Sequence, residues 1–453
     1  MMRKCVVATT LFATVFFAAV AAMSQDTNYW TLQYGTRGEL LGGCVVGSAV
    51  DLSATYYNPG SLALVADPKT ILTATVFGME TVKVSTVPEG SESPTSRNIG
   101  VQPSLFAGTV PVKWWGGRWA YSFLTRQKST FTLTEREGSV IALDTPGDSL
   151  STGGEILFDQ DENEQWGGLT YSRPVRDNLG LGVTIYGAYR SQSRSTRQTV
   201  EAIGAAGYGS TLLDWNDIHY STFRFLAKVG ISADYGNTTL GLAFTTRSVP
   251  IYGKGTILLN RVVIGDTNLD GIDDSSADVT FQKDLDATYK SPFSIAFGGS
   301  HKWTDITVHA TAEYFLKIDP YTVMETGTLR NSPGVTTHAA TFGHALNDVF
   351  NWGVGVEKTF SEKTTAYISF ITDNSASQRV TPYDISVSTW DIHHVNGGVA
   401  FTLLGTDLTL GGGFAWGKAP LHVTPDSQGI LPATIEPTAV NYSRIKAILG
   451  IAL

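Results

Sequence analysis

From residue 70 onward the apolar residues of this chain recur at every second position, and the segments that carry them are joined by connections that are long and short in strict turn. Period two is the mark of a β-strand with unlike faces. The clearest stretch sets Phe223, Phe225, Ala227, Val229 and Ile231 against Arg224, Leu226, Lys228, Gly230 and Ser232. After Tyr235-Gly236-Asn237, Leu240, Leu242 and Phe244 resume the pattern against Gly241, Ala243, Thr245 and Arg247. Single segments of this kind are 70–84, 100–112, 117–134, 164–174, 179–199 and 441–453. Hairpins are read at 222–234/238–251, 290–302/304–317, 348–359/363–373 and 392–404/407–418, which brings the count to fourteen. The long connections are 85–99, 135–163, 200–221, 252–289, 318–347, 374–391 and 419–440; the short ones are 113–116, 175–178, 235–237, 303, 360–362 and 405–406. A soluble sandwich gives no reason for such regular alternation. An all-β fold, a 14-stranded antiparallel transmembrane β-barrel, does: an even strand number, short turns at the periplasmic end and long loops at the other. Hydrocarbon offers a bare backbone no hydrogen-bond partner, so a sheet that crosses it has to close on itself.

Composition agrees. At 16% the charged fraction is low for a soluble domain, where about a quarter is usual. A mean hydropathy of +0.00 is too polar for a bundle of transmembrane helices, each needing about 20 apolar residues. Trp114, Trp115 and Trp119, and likewise Trp303, Trp352 and Trp416, fall near strand ends, where interfacial aromatic girdles sit. The net charge of −9 does not suit nucleic acid, which rewards clustered Lys and Arg. There are two cysteines, Cys5 and Cys44, and no Cys/His cluster at zinc spacing.

Residues 1–24 read as a signal peptide: Arg3 and Lys4, then an apolar run from Cys5 to Ala22, then polar Ser24-Gln25-Asp26. Cleavage after Ala21, Ala22 or Ser24 fits, and with Cys5 removed no intramolecular disulfide can form. Leu41-Gly42-Gly43-Cys44 spells a lipoprotein box but does not follow the apolar run directly, since Arg37 and Glu39 intervene. Residues 25–69 do not alternate. Their apolar side chains (Leu40, Leu41, Val45, Val46, Leu62, Leu64) need burial, which favours a plug over a tether.

Within that segment, Tyr34-Gly35-Thr36-Arg37-Gly38, Gly47-Ser48-Ala49-Val50-Asp51-Leu52-Ser53-Ala54-Thr55 and Tyr57-Asn58-Pro59-Gly60-Ser61-Leu62-Ala63 stand in order. Together they resemble the amino-terminal hatch of the FadL-type long-chain fatty acid transporter family, which includes toluene-uptake relatives. Gln102-Pro103-Ser104-Leu105-Phe106, Ser291-Pro292-Phe293-Ser294-Ile295-Ala296-Phe297-Gly298 and Trp352-Gly353-Val354-Gly355-Val356-Glu357 are similar to later strands of the family. Gly60 departs from the alanine often found there, a conservative change at a tight turn. The resemblance implies a hatch at 25–69, with Arg37, Asn58, Pro59 and Gly60 as its marker residues, and a barrel at 70–453. It also implies passive uptake of hydrophobic molecules, long-chain fatty acids or similar lipids, across the outer membrane. Ligand release would be sideways through a gap in the wall. Strand 117–134 is the candidate for that gap, because its apolar face (Trp119, Tyr121, Phe123) turns polar at Thr125, Gln127 and Ser129. A stretch that has risen above the bilayer would read the same way. The expected partners are the hydrophobic cargo, outer-membrane lipids and lipopolysaccharide, and the outer-membrane assembly machinery.

By parity Arg190, Arg194, Arg224, Lys228 and Arg247 face the lumen. Such a cationic cluster suits a fatty-acid carboxylate through charge-assisted hydrogen bonds, although a polar lumen wall would look alike. No cofactor is required. Asp266, Asn268, Asp270 and Asp274 match most of a calcium loop, but position twelve is Ala277 and the bidentate glutamate is missing. Asp159-Gln160-Asp161-Glu162-Asn163-Glu164 is a looser acidic cluster of the same kind. His219-Tyr220-Ser221 has the spacing of barrel phospholipases without their surroundings, and His393-His394 lacks further ligands; no enzymatic activity is expected. The competing reading is a porin or surface-binding barrel not specific for hydrophobic cargo.

Overall fold

The computed structural model describes residues 27–48, 51–66, 68–84, 95–112, 114–142, 149–204, 209–265, 275–327, 339–378, 385, 388–421 and 438–453. The strands of the first half are β1 (Ile71–Val84), β2 (Thr95–Val110), β3 (Arg118–Ala142), β4 (Ser149–Arg176), β5 (Leu179–Gly204), β6 (Gly209–Asp234), β7 (Thr238–Thr245), β8 (Val249–Ile264) and β9 (Ser276–Asp286). Those of the second half are β10 (Ser294–Trp303), β11 (Ile306–Phe315), β12 (Ile318–Glu325), β13 (Thr341–Leu346), β14 (Val349–Ser361), β15 (Thr364–Asp373), β16 (Asp391–Leu403), β17 (Thr406–Leu421) and β18 (Thr438–Ala452). A one-turn helix, α1 (Ala54–Tyr57), lies in the amino-terminal segment.

Pairing is antiparallel throughout, and β1 meets β18 from Ile71 opposite Ala452 to Val84 opposite Val440. With β5 bonded to β6, the ring of β1–β7, β10, β11 and β14–β18 closes as a 14-stranded barrel. β8 and β9 continue the sheet on the upper half of β6, and β12 and β13 form a separate hairpin. Alternation sets the faces as the sequence predicts: on β6, Arg224, Leu226, Lys228 and Ser232 are buried inward, while Phe225, Val229 and Ile231 are exposed.

The wall is uneven. β4 has 28 residues, whereas β7 has 8 and β15 has 10. A crossing needs about 10 residues, and at about 3.3 Å per residue β4 extends roughly 90 Å along its length. Much of β3–β6 therefore stands clear of the membrane. The segments 135–163 and 200–221, expected as loops, are in large part strand, as are 252–289 and 318–347. Where both faces meet water, the hydrophobic contrast that reveals a strand is lost, but the backbone ladder continues.

The described residues 27–48 and 51–66 lie inside this barrel and touch its wall. Arg444 donates to Thr31 O (2.6 Å), Lys446 to Gln33 Oε1 (2.8 Å) and Ser369 Oγ to Leu40 O (2.9 Å). Thr184 Oγ1 and Tyr186 Oη both donate to Thr55 O (2.8 and 2.6 Å), and Arg118 donates to Leu62 O (2.7 Å). Leu40, Leu41, Leu52 and Leu62 are fully buried. Removing each from water contributes about 1.5–3 kcal/mol, which is why this non-alternating, leucine-containing segment fills the lumen. Burial pushes the Cys44 thiol up, so the lone cysteine of the described residues is unreactive.

Asn58-Pro59-Gly60 is the point of closest approach. Asn58 Nδ2 donates to Val46 O and to Ile231 O of β6 (2.8 and 2.9 Å), and its Oδ1 accepts from the Gly60 N–H (3.0 Å). Gly60 has an ordinary φ of −65°. The constraint there is room rather than turn conformation: a Cβ would lie 2.6 Å from Gly230 O and 2.8 Å from Gly180 O. The glycine is thus no neutral alternative to alanine in this chain. Gly60→Val is expected to cost about 1–3 kcal/mol through overpacking, seen as a lower temperature for the heat-induced mobility shift of the folded barrel on electrophoresis. An unchanged transition would mean that the contact is not tight.

Candidate functional site

Against the amino-terminal segment the lumen holds a narrow cavity of about 50 Å³. Its floor is Tyr29 and Tyr56; its walls include Arg126, Trp166, Leu226, Lys228, Glu313 and Phe315, and the segment Tyr289–Pro292 closes one side. A smaller void, reaching down between Trp30, Gly42, Gly43 and Tyr57, shares Tyr29, Tyr56, Lys228 and Glu313 with it. The hairpin β12–β13 roofs the mouth: Val323, Met324 and Phe342 pack with Ile218, Tyr220, Ile257 and Tyr289.

The structure sorts the five cations expected to face the lumen into four kinds. Arg190 and Arg224 are fully buried but already engaged. Arg190 pairs with Glu162 (2.6 Å) and Glu164 (3.3 Å), and Arg224 pairs with Glu164 (2.5 Å). Both guanidinium groups lie over the ring of Tyr289, at 4.0 and 4.8 Å from its centroid. They brace the wall instead of waiting for a ligand. Arg247 does not face the lumen: β7 ends at Thr245, and Arg247 is exposed in the bend that follows. Arg194 is half-buried higher on β5. Lys228 alone meets the expectation in full. It is buried, lines both voids, and its ammonium sits 4.5 Å above the Tyr56 ring. Among the described residues no carboxylate lies within ion-pair distance of it. Glu313, across the cavity, spends its oxygens on Trp30 Nε1 (2.8 Å) and Ser294 Oγ (2.6 Å).

Arg126 is the cation that strand parity misses. The β3–β4 register shifts between Thr125 and Gln127, so Thr125, Arg126 and Gln127 are all buried. The bulge inverts the strand: Phe123 points out, whereas Ser129, Phe131 and Leu133 point in. The polar turn read at Thr125, Gln127 and Ser129 is thus this inversion. It coincides with a break in the wall. The β2–β3 ladder runs only from Val110/Trp119 to Leu105/Leu124, next to Pro103, which has no N–H to give. Side chains then take over: Thr125 Oγ1 donates to Pro103 O (2.8 Å), Tyr34 Oη of the inner segment donates to Thr125 O (2.9 Å), and Asn98 Nδ2 donates to Thr130 O.

The acidic run 159–164 is likewise resolved by alternation. Asp159 and Asp161 face outward against the hydroxyls of Thr132 and Thr130, while Glu162 and Glu164 face inward to the arginines. Four cations (Arg126, Arg190, Arg224, Lys228) thus surround the cavity against three carboxylates (Glu162, Glu164, Glu313). One positive charge is in excess, and Arg126 and Lys228, which both line the cavity, are the two cations without an ion pair among the described residues; of these only Lys228 lines both voids.

Of the hatch residues, Arg37 pairs with Glu357 (2.5 Å) and donates to Ser48 O (3.1 Å) on the far side of the segment from the cavity. Asn58, Pro59 and Gly60 are structural, as described above. Asp266, Asn268, Asp270 and Asp274 lie outside the described residues. His219 is exposed on β6, and His394 is buried 3.7 Å from Asp373, whose carboxylate accepts from Trp30 N and Thr31 Oγ1.

Because Glu164 holds two buried guanidinium groups, Glu164→Gln is expected to be strongly destabilising, by about 3–5 kcal/mol. Lys228→Met, which breaks no ion pair, should leave the thermal transition near that of the parent. Equal transition temperatures for the two variants would contradict this division of roles.

No protein-family model and no curated protein sequence matches the chain. Its fold does match solved structures. A FadL homologue of Pseudomonas aeruginosa superposes with a TM-score of 0.57 at 13% identity, covering 94% of this chain and 99% of that one. The toluene transporter TodX of Pseudomonas putida gives 0.51 at 13% identity over 94% and 99%. The toluene transporter TbuX of Ralstonia pickettii gives 0.52 at 13% identity over 93% and 98%. The chain has the fold of these proteins.

Proposed function

We propose that the protein is a passive outer-membrane channel for hydrophobic small molecules, and that its preferred cargo pairs an apolar tail with an anionic head, as a long-chain fatty acid does. The observation that carries this reading is the surplus positive charge of Lys228 and Arg126, neither ion-paired among the described residues, in an aromatic-walled cavity against the segment inside the lumen. An anion there gains a charge-assisted partner that no carboxylate already holds in an ion pair, and Tyr29, Tyr56, Trp166 and Phe315 offer apolar surface to the chain behind it. The shared fold with a FadL homologue and with toluene transporters supports hydrophobic cargo. A lumen occupied by residues 27–48 and 51–66 does not suit an open, water-filled pore.

The proposed path runs from the cavity, past Arg126 and Gln127 of β3, to the interruption between β2 and β3. Tyr34 occupies a backbone carbonyl at that interruption, so any shift of the inner segment that withdraws Tyr34 also loosens the wall. Residues 1–24 are proposed as a leader removed before the barrel closes, since Thr27 is already fully buried among Ser375 and Ser388.

Two measurements test this. Lys228→Met is expected to weaken oleate binding by about ten-fold, about 1.4 kcal/mol, while toluene binding stays as in the parent; equal loss for both ligands would remove the carboxylate from the argument. In planar bilayers the intact protein is expected to show little steady conductance, and a chain lacking residues 25–69 a large one. A large steady conductance from the intact protein, with no lipid binding, would overturn the channel reading in favour of a porin.

A further inference from the structure

The wall has a second interruption, higher up and four strands round the barrel from the β2–β3 break. Val249, Pro250, Ile251 and Tyr252 are consecutive residues at the start of β8, and all four are exposed. A strand seated in a barrel wall hides every second side chain, so a run of four exposed residues has to be open on both faces. Pro250 shows this directly: it pairs with inward-facing, fully buried Arg224 yet is itself exposed. On the β6 side the strand is held, with a register shift that leaves Ile251 unpaired. On its other side the neighbour is missing.

The neighbour should be the stretch joining β9 to β10. Below the opening, Ser248 and Ser291 bond to each other (Ser291 N to Ser248 Oγ, 2.8 Å; Ser248 N to Ser291 O, 3.3 Å). Above it, the Ala287 N–H donates to Gly253 O (3.1 Å). Between these clasps the chain turns away from the wall. Thr288 N–H goes to Val323 O of the roofing hairpin and Lys290 N–H to the Tyr321 hydroxyl, while Tyr289 swings inward beneath Arg190 and Arg224. The inner side of the opening is the cavity itself, lined by Tyr289, Ser291 and Pro292. The outer side carries Val249, Ile251 and Tyr252.

Its height follows from the strands. Nine residues separate Asp234, at the periplasmic turn, from Phe225, which pairs with Val249. At about 3.3 Å per residue and a tilt of about 40°, that is a climb of roughly 23 Å, close to the top of an apolar band about 25 Å tall. The opening therefore meets the outer leaflet at the level of its headgroups and first methylenes.

We infer that this opening between Val249–Tyr252 and Thr288–Lys290 is a lateral portal through which amphiphiles dissolved in the outer leaflet enter the cavity. The inference rests on the channel reading above. An amphiphile lying in the leaflet has its head near the interface and its tail below, the order in which polar Tyr252 and apolar Ile251 and Val249 are presented. Its head can then slide past Ser291 towards Lys228 without the tail crossing water.

The test blocks the portal after the barrel has assembled, so that folding is not at issue. Ile251→Cys, and as a control Leu410→Cys on the lipid-facing side of β17, are each expressed in the full chain and labelled in membranes with N-pyrenylmaleimide; Cys44 is fully buried and stays unlabelled. Uptake of radiolabelled oleate by the cells is then compared with that of the same variant left unlabelled. Labelling at position 251 is expected to remove most of the initial rate, and labelling at position 410 to leave it unchanged. Oleate binding by the purified 251 adduct in detergent, where cargo reaches the mouth from solution, is expected to persist. Undiminished uptake by the 251 adduct would overturn the portal and leave the channel standing. Absence of uptake and binding in the unlabelled protein would overturn the channel reading itself.

Discussion

Every peptide group of a sheet that crosses hydrocarbon has to find its partner in the same sheet, and the rest of this molecule is arranged around that demand. It forces β1 onto β18 and leaves an outer surface on which only the side chains are free to vary. It also makes each lapse in the ladder conspicuous. At the β2–β3 break the missing backbone bonds are replaced by Thr125, Asn98 and, from inside the barrel, Tyr34. At the β8–β9 break they are replaced by the roofing hairpin, through Val323 and Tyr321. In both places at least one of the groups that repair the wall belongs to a part that lies within or over the lumen, so the wall is coupled to what fills it.

What fills it is held by two kinds of contact. Around Asn58–Gly60 the inner segment lies backbone against backbone on β5 and β6, with no space for a single added carbon at Gly60. Towards Thr27–Gln33 it is held by side chains: Asp373, Ser388, Arg444 and Lys446. Burial pushes the Glu39 carboxyl up, against the pull of nearby Lys446. The first kind of contact resists displacement because nothing in it can rotate away; the second can be exchanged bond for bond. Of the two residues that floor the cavity, Tyr29 is on the exchangeable part.

Part of the site is legible in the alternation alone. Arg190, Arg224 and Lys228 share a parity on neighbouring strands, and parity correctly turns all three inward. It does not say that Glu162 and Glu164 neutralise the two arginines, because that depends on the register of β4 against β5 and β6, which is set by strands far longer than their hydrophobic signal. Arg126 is hidden for the opposite reason. One extra residue at Thr125–Gln127 reverses the side assigned to everything beyond it, and a bulge leaves no mark in composition. Tyr289 sits in a connection read as loop, and its place under two guanidinium groups is a purely long-range fact.

The sequence by itself determined the class of object. Period-two alternation, fourteen segments and connections that are long and short in turn require a closed antiparallel barrel, because no other arrangement satisfies the backbone in lipid. A non-alternating segment with buried leucines ahead of the first strand belongs inside it. Only the tertiary structure decided which cations are held in ion pairs, where the wall opens, and that Gly60 is demanded by the carbonyls of Gly180 and Gly230. These are properties of groups far apart in the chain and within a few ångströms in space. Local periodicity records which side of a strand a residue takes but not what it meets there.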